Sequence, residues 1–157
     1  GLIIGIIVVV VIGIFVWRYF SSKTGPSEQA EEQTEQLAGL EDSIFVANQK
    51  PGRFVNVGRA ALSKKGYVAI HQEEADAPGA IIGFGSLLNT GESRNLSVTL
   101  NRKSVAGENM YAMIHWDNNN GTFNPADDMA ATDKDGNMVM AKFMISESAS
   151  EPIEYKL

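Results

Sequence analysis

The distribution of apolar and polar positions divides the chain into three parts. Residues 1–20, GLIIGIIVVVVIGIFVWRYF, are almost continuously apolar, whereas residues 21–42 are polar and acidic. From residue 43 onward, short apolar stretches alternate with turn-forming residues. These patterns predict a hydrophobic anchor or assembly helix at 1–20, an acidic stalk or short helix at 21–42, and a β-domain at 43–157.

The first segment has the length and the composition of a transmembrane-type helix. Residues 1–17 contain thirteen Leu, Ile, Val or Phe residues and no charged residue. A helix of about 20 residues is about 30 Å long, which matches the hydrocarbon core of a bilayer. Trp17 and Tyr19 stand where an interfacial aromatic belt is expected. We predict a retained helix rather than a signal peptide, which has a shorter apolar core and a small-residue cleavage site.

Small residues give this predicted helix one face that suits close packing. Gly1, Gly5, Val9 and Gly13 are separated by four-residue steps and therefore share a face. Glycines on such a face let another helix approach closely. The expected partners are copies of the same chain or other transmembrane helices. The alternative is that these glycines are incidental, since glycine is common in membrane helices.

The apolar start of the chain, with no methionine before Gly1, resembles the mature N-terminus of a type IV pilin. Prepilin-type peptidases cut just ahead of the hydrophobic segment and leave it as the new N-terminus. The resemblance covers residues 1–20 alone and departs from the bacterial pattern at Gly5, where a glutamate is expected. It implies a filament subunit, and a sequence that simply begins late is the alternative.

Seven stretches after residue 42 have strand character. They are SIFVANQ (43–49), RFVNVGRAAL (53–62), GYVAIHQ (66–72), AIIGFG (80–85), RNLSVTLN (94–101), NMYAMIHWD (109–117) and NMVMAKFMIS (137–146). Turn-forming pairs, among them Pro78-Gly79 and Asp135-Gly136, separate these stretches. The number and spacing of the strands predict a mainly β fold, a seven-stranded immunoglobulin-like β-sandwich preceded by the one N-terminal α-helix.

The strand pattern also indicates how the sheets are exposed. Leu96, Val98 and Leu100 alternate with polar residues, as expected for a sheet with one solvent-facing side. No βαβ alternation and no glycine-rich phosphate loop occur in the sequence, which disfavours an α/β enzyme.

Four blocks of the β-region carry a family resemblance. In chain order they are GYVAIHQ, PGAIIGFGSLLNTGESRNLSVTLN, MYAMIHWDNNNGTFNPADD and TDKDGNMVMAKFMIS. Through these blocks, residues 43–146 resemble an uncharacterised prokaryotic domain family found in secreted and membrane-anchored surface proteins of archaea and bacteria. The resemblance implies an extracytoplasmic β-sandwich and implies no catalytic activity.

Composition and charge exclude several classes of function. Thirteen basic and nineteen acidic residues give a net charge of -6, which repels nucleic acids and anionic headgroups. The absence of cysteine excludes disulfides, thiolate metal sites, a cysteine nucleophile and a lipidated cysteine. No serine stands in a nucleophile-elbow sequence, and Glu73, Glu74 and Asp76 have the pattern of a solvated acidic loop. We expect a non-enzymatic protein that binds no nucleic acid.

The two histidines of the chain occur in a repeated spacing. Tyr67-Val-Ala-Ile-His71 and Tyr111-Ala-Met-Ile-His115 have the same Tyr-x-x-Ile-His pattern. If the third and sixth strands pair, His71 and His115 face each other. Two imidazoles supply at most half of a tetrahedral zinc site, so zinc or copper bound by both would need a carboxylate from Glu73, Glu74 or Asp117. A copper site of cupredoxin type is excluded because it needs a cysteine. The alternative is a cross-strand pair hydrogen-bonded to loop backbone.

The segment DNNNGTFNPADD, residues 117–128, has oxygen ligands in an order that suits calcium. With Asp117 as the first ligand, Asn119 takes the third position of a calcium loop. The Phe123 carbonyl then takes the seventh position and Asp128 the twelfth, where a carboxylate is required. Gly121 at the fifth position and strands on both sides exclude an EF-hand. A looser calcium site remains as a hypothesis, with turn formation as the alternative.

Three functions are compatible with these features. The favoured one is a pilin-like filament subunit, with the helix in the filament core and the β-sandwich displayed outside the cell. The second is a single-pass accessory subunit of a larger membrane complex. The third is an extracytoplasmic module that binds a metal, zinc or calcium, or another ligand around His71, His115 and Asp117. The first two predict a membrane-anchored or filamentous protein with an extracytoplasmic sandwich.

Overall fold

The computed structural model of the protein describes residues 39–150. The predicted helix at 1–20, with Gly1, Gly5, Val9 and Gly13, lies outside the described residues, as does most of the predicted stalk. Within 39–150 every regular element is a β-strand, and no helix able to cross a membrane is found there. The strands are β1 (Ser43–Phe45), β2 (Phe54–Leu62), β3 (Gly66–Glu74), β4 (Ala77–Phe84), β5 (Gly91–Thr99), β6 (Asn109–Trp116) and β7 (Met140–Met144).

The strands form two antiparallel sheets. One sheet has the order β1-β2-β5 and the other the order β4-β3-β6-β7. The third and sixth strands therefore pair side by side, as predicted, with Tyr67 opposite His115 and His71 opposite Tyr111. The prediction of a mainly β chain with seven strands is confirmed for the part of the chain that the structure describes.

The core lies between the two sheets and follows from the two-residue period of each strand. Val55 and Val57 of β2 and Val68 and Ile70 of β3 point inward and are almost completely buried. In β5 the predicted alternation is confirmed, because Val98 is 1% exposed while its neighbours on the other face are open to solvent. The apolar face of a sheet must be buried against another layer, and in this domain the other sheet supplies that layer.

The segment after β1 connects the two sheets. The predicted first strand, 43–49, is shorter in the structure because the chain leaves the first sheet after Phe45. Gln49 then forms a parallel bridge with Ile145, next to β7 of the other sheet. The Gln49 side chain donates to the Asn56 carbonyl at 2.8 Å and accepts from the Asn56 N–H at 2.7 Å. One buried residue thus bonds to both sheets.

The turn between β3 and β4 is not where the sequence predicts it. Pro78-Gly79 lies inside β4, with Pro78 opposite Glu73, so the prediction of a turn at this pair was wrong. The turn is formed by Ala75 and Asp76, which both have positive φ, 50° and 61°. Pro78 is tolerated because β4 is an edge strand, where a missing N–H leaves no ladder bond unmade.

Strands β3 and β6 are buried on both faces. Their inward residues belong to the core, and their outward residues Tyr67, His71, Met113 and His115 are no more than 8% exposed. The segment 117–131 covers this outer face. The His115–Ala130 bridge and the ring contacts of Phe123 attach that segment to the sheet.

Candidate functional site

The two histidines meet on the covered outer face of the second sheet. His71 and His115 are 44 positions apart in the chain, yet their Nε2 atoms are 3.3 Å apart. Both residues are buried, with exposed fractions of 8% and 6%. The sequence-based prediction that these imidazoles face each other agrees with this geometry.

The two rings lie edge to edge rather than face to face. Their planes differ by only 11°, and their centroids are 5.5 Å apart. The centroid distance exceeds the 3.3 Å nitrogen distance by about one ring width, so the two Nε2 atoms point almost straight at each other. This is the geometry of an N–H···N hydrogen bond between the rings.

The outer nitrogens of the pair both contact backbone carbonyls. His71 Nδ1 lies 2.7 Å from the Gly79 carbonyl oxygen, and His115 Nδ1 lies 2.9 Å from the Asp128 carbonyl oxygen. A carbonyl oxygen can only accept, so each Nδ1 must carry a proton to make its bond. The predicted alternative of a cross-strand pair bonded to loop backbone matches at Asp128 in the covering segment, whereas Gly79 is a residue of strand β4.

Counting protons then gives the charge of the pair. The Nδ1–Gly79, Nδ1–Asp128 and Nε2–Nε2 contacts each need one proton, whereas two neutral imidazoles carry only two in total. All three bonds are made only when the pair holds one additional proton and carries a single positive charge. A second additional proton would place two N–H groups against each other. Burial lowers the pKa of His71, the Gly79 carbonyl raises it, and His115 lowers it further.

A buried carboxylate lies in the same covering segment. Asp128 is 1% exposed, and its two oxygens accept the N–H groups of Asn118 at 3.0 Å and Asn124 at 2.8 Å. None of the ion pairs among residues 39–150 includes Asp128. The backbone carbonyl of Asp128 accepts from His115, so this residue also connects the covering segment to the histidine pair.

The residues predicted to bind calcium stabilise their own loop instead of pointing at a common centre. Asp117 Oδ1 accepts the Gly121 N–H at 3.0 Å, and both oxygens of Asp128 are already bonded to backbone. Asn119 has a φ of 72°, which is the left-handed turn conformation. No group of three or more His, Asp or Glu residues within 39–150 is arranged to hold a metal ion.

Zinc bound between the two histidines would require a rearrangement. Zinc is tetrahedral with zinc–nitrogen bonds about 2.0 Å long, so two ligating nitrogens lie about 3.3 Å apart and both point at the ion beside them. The observed separation of 3.3 Å fits that distance, but the two Nε2 atoms point at each other and not at a common third point. At least one ring would have to turn to bind the ion. The zinc and calcium hypotheses stay predictions.

An aromatic cluster beside the pair has no counterpart in the sequence-based prediction. The Phe123 ring lies 5.2 Å from Tyr67, 4.6 Å from Phe84 and 5.6 Å from His115, measured between centroids. Phe123 comes from the Asn- and Asp-rich segment, and Phe84 ends β4. The sequence indicates this contact only through a lone aromatic residue inside a polar loop. A large apolar side chain in such a loop is expected to be buried against the rest of the domain.

Two of the carboxylates predicted to form a solvated loop, Glu73 and Asp76, lie beside a lysine of β7. Glu73 forms an ion pair with Lys142 and accepts from the Asn109 amide at 2.9 Å. These bonds to Lys142 and Asn109 lower the pKa of Glu73, and the bond to Glu73 raises the pKa of Lys142. Asp76 is 94% exposed and lies 3.7 Å from the same lysine. The cluster is an ion-pair network at the end of the sheet.

Two antiparallel sheets, a hydrogen-bonded histidine pair and a covering loop define a small all-β domain in which the buried side chains of Gln49, Ser104 and Asp128 bond to backbone. Comparison with known sequences gives the family. Residues 42–146 match the family described as "Domain of unknown function (DUF7282)", and the chain belongs to it. The matched range agrees with the 43–146 of the resemblance found in the sequence.

One relative is a surface protein. The chain is 30% identical over 132 residues to "Cell surface glycoprotein 2" of Haloarcula hispanica, a match that covers 82% of this chain. It spans 14% of the length of that relative. No solved structure matches the chain.

Proposed function

We propose that the protein is a non-enzymatic component of the cell surface, with its β-sandwich outside the cell. The observation that carries this proposal is the similarity of most of the chain to a segment of "Cell surface glycoprotein 2". That segment is a small part of a much longer relative, of which this chain spans 14%. In the present chain the domain would follow a membrane-type segment.

The internal bonding of the domain supports a structural role. Gln49, Ser104 and Asp128 are at most 5% exposed, and each bonds to backbone of the domain. Fully satisfied buried polar groups rigidify a fold and specify one arrangement. The order β1-β2-β5 against β4-β3-β6-β7 also supports an immunoglobulin-like classification, an architecture common in surface proteins.

We further propose that residues 1–20 anchor the protein and pack with copies of themselves in a filament. The apolar composition of this segment and the shared face of Gly1, Gly5 and Gly13 support this arrangement. The alternative arrangement is a single-pass accessory subunit of a larger membrane complex, in which the same helix packs against other transmembrane helices.

Location and assembly can be tested on intact cells. Protease added outside should cleave the β-domain of the native protein. Deletion of residues 1–20 should abolish its attachment to the cell surface, so that the domain is found in the medium or inside the cell. Electron microscopy of sheared surface material, labelled with antibody to the domain, then separates the two arrangements. Labelled filaments support the filament subunit, and co-purification at fixed stoichiometry with a membrane complex supports the accessory subunit. A domain protected from external protease would refute the surface proposal.

A further inference from the structure

Two Asn-x-Ser/Thr sequences occur in the chain. They are NLS at residues 95–97 and NGT at residues 120–122. This tripeptide, with any residue except proline in the middle, is the acceptor sequence for N-linked glycosylation of proteins that leave the cytoplasm. The motif is short and also occurs by chance, so the surroundings of each asparagine must show whether a transferase can use it.

The second sequence lies at the exposed tip of the covering segment 117–131. Residues 118–122 are all exposed, and Asp128 holds the two ends of this tip together. One carboxylate oxygen of Asp128 accepts the N–H of Asn118 at 3.0 Å, and the other accepts the N–H of Asn124 at 2.8 Å. The tip therefore extends into solvent from a fixed base, and a group attached to it does not enter the core.

The three N–H groups of the second sequence bond to side chains of the same loop. Asn118 Oδ1 accepts the Asn120 N–H at 3.1 Å, and Asp117 Oδ1 accepts the Gly121 N–H at 3.0 Å. The Thr122 N–H donates to Asn120 Oδ1 at 2.7 Å, which closes an Asx turn. The tripeptide can therefore leave this conformation and enter an enzyme without breaking a hydrogen bond of either sheet.

The atom that would carry a glycan is available. Asn120 uses its side-chain oxygen in the Asx turn, whereas its Nδ2, the attachment atom of N-linked glycans, forms no hydrogen bond within residues 39–150. Thr122, whose hydroxyl completes the acceptor sequence, is also exposed. No atom lies within 4 Å of a Cβ placed on Gly121 between them. The whole tripeptide is thus open to a large enzyme.

The first sequence is exposed at its asparagine and its serine, but it belongs to a sheet. Asn95 lies in β5 between Arg94 and Leu96, which pair with Arg59 and Val57 of β2. An enzyme could bind this tripeptide in its active site only if the ladder between β2 and β5 opened. The folded domain therefore presents the loop sequence and not the strand sequence.

We propose that Asn120 is a site of N-linked glycosylation. The proposal rests on the surface location proposed above, because the acceptor sequence is used in proteins that leave the cytoplasm. The co-reactant is a lipid-linked sugar phosphate, which an extracytoplasmic transferase supplies. Asn120 Nδ2 forms a bond to the anomeric carbon of the sugar, and the bond from that carbon to the phosphate oxygen breaks. The lipid phosphate leaves with the electron pair and takes up the proton that Nδ2 loses.

The test is mass spectrometry of the native protein from the cells that make it. Trypsin cleaves after lysine and arginine, so the two acceptor sequences fall on separate peptides, residues 95–102 and 104–134. The 104–134 peptide should carry the added mass of one or more sugar residues, and fragmentation should place that mass on Asn120. Protease is also added to intact cells of the same culture, so that the location of the domain is measured independently.

Four variants made in the same cells connect the glycan to the tripeptide. Asn120→Gln and Thr122→Ala should both abolish the added mass on the 104–134 peptide, since each destroys the acceptor sequence. Thr122→Ser keeps the acceptor sequence and should keep the glycan. Asn118→Gln is the matched control, because it makes the same exchange on an exposed residue of the same loop outside the tripeptide. All four substitutions are at exposed positions, so the domain should fold in each variant.

The outcomes distinguish the glycan from the location. A glycan on Asn120 that is lost in Asn120→Gln and Thr122→Ala but kept in Thr122→Ser and Asn118→Gln supports the proposal. A domain that external protease reaches, with an unmodified 104–134 peptide or with a glycan on Asn95 alone, overturns the proposal and leaves the surface location standing. A domain that external protease does not reach and that carries no glycan overturns both.

Discussion

The proton count of the histidine pair predicts that the domain loses stability in mild acid. In the unfolded chain, both histidines bind an additional proton near pH 6.5. In the folded domain, the pair has room for one additional proton, because the four ring nitrogens of His71 and His115 form three hydrogen bonds that hold three protons in total. Below pH 6.5 the unfolded state therefore binds one proton more than the folded state.

The sign and the size of the effect follow from this difference. The folded pKa of His71 is lowered, so its contribution to stability is fully present above the unfolded pKa and is lost as pH falls towards the folded pKa. A difference of one bound proton gives a slope of at most about 1.4 kcal/mol per pH unit. Between pH 6.5 and pH 5.5 the free energy of unfolding should thus fall by up to about 1.4 kcal/mol.

The assay is urea unfolding of the protein at half-unit steps between pH 7.5 and pH 5.0. His71 and His115 are the two histidines of the chain, and the carboxylates whose pKa values are lowered, such as Glu73 and Asp133, titrate in more acidic solution. The double variant His71→Gln with His115→Gln is the control and should show a flat profile in this range. NMR titration of the two imidazoles gives the same information when the double variant does not fold.

A free energy of unfolding that stays constant or rises as the pH falls from 6.5 to 5.5 would refute the proton count. So would an NMR titration in which both imidazoles gain a proton independently near pH 6.5. Either result would mean that the edge-to-edge bond between the two rings is not formed in solution.

Three further predictions concern the fold, each measured as the free energy of unfolding. Gly66→Ala should cost about 1–3 kcal/mol, because its Cβ would overlap the backbone carbonyl of His115 in the neighbouring strand. Gln49→Leu should cost about 2 kcal/mol, because it leaves the part-buried N–H and C=O of Asn56 in β2 without their partners. Ala75→Asn with Asp76→Gly should stabilise by about 1 kcal/mol, because the turn holds two ordinary residues at positive φ.

Controls keep these predictions separate from general effects of mutation. Gly52→Ala should be nearly neutral, because the nearest atom to its added Cβ is 3.9 Å away. An equal loss in Gly52→Ala and Gly66→Ala would contradict the steric explanation. Unchanged stability of Gln49→Leu would show that water replaces the lost bonds. A turn variant that is less stable than the parent would mean that the β3–β4 turn differs from the one described.

The seven strands were predictable from the sequence because strand formation is encoded locally. Alternating apolar residues, such as Val55 with Val57 and Val68 with Ile70, determine which face of a strand is buried within a few residues of chain. The repeated Tyr-x-x-Ile-His spacing and the strand count predicted that His71 and His115 lie on paired strands, whereas the register places each histidine opposite a tyrosine. The pairing of β3 with β6 brings the two histidines together, although they are 44 positions apart in the chain.

Other features depended on tertiary surroundings that a local pattern does not contain. Pro78-Gly79 has the sequence of a turn, but an edge position in the sheet and pairing with Glu73 let it extend β4. The covered outer face of β3 and β6 also could not be read from the strands, whose buried residues on both sides equally suit a core. It is the loop carrying Phe123 that buries this face.

The sequence by itself determined the elements, the strand that carries each histidine and the acidic, cysteine-free character of the chain. Only the tertiary structure decided what those residues do. The carbonyls that give the histidine pair its proton count come from Gly79 and Asp128, which lie in a different strand and in the covering segment. The surface groove lined by Tyr67 and Phe123 joins residues of three strands and two loops. Hydrogen bonds and cavities depend on distances of a few tenths of an ångström between distant segments, whereas strand formation requires only the correct alternation of neighbours.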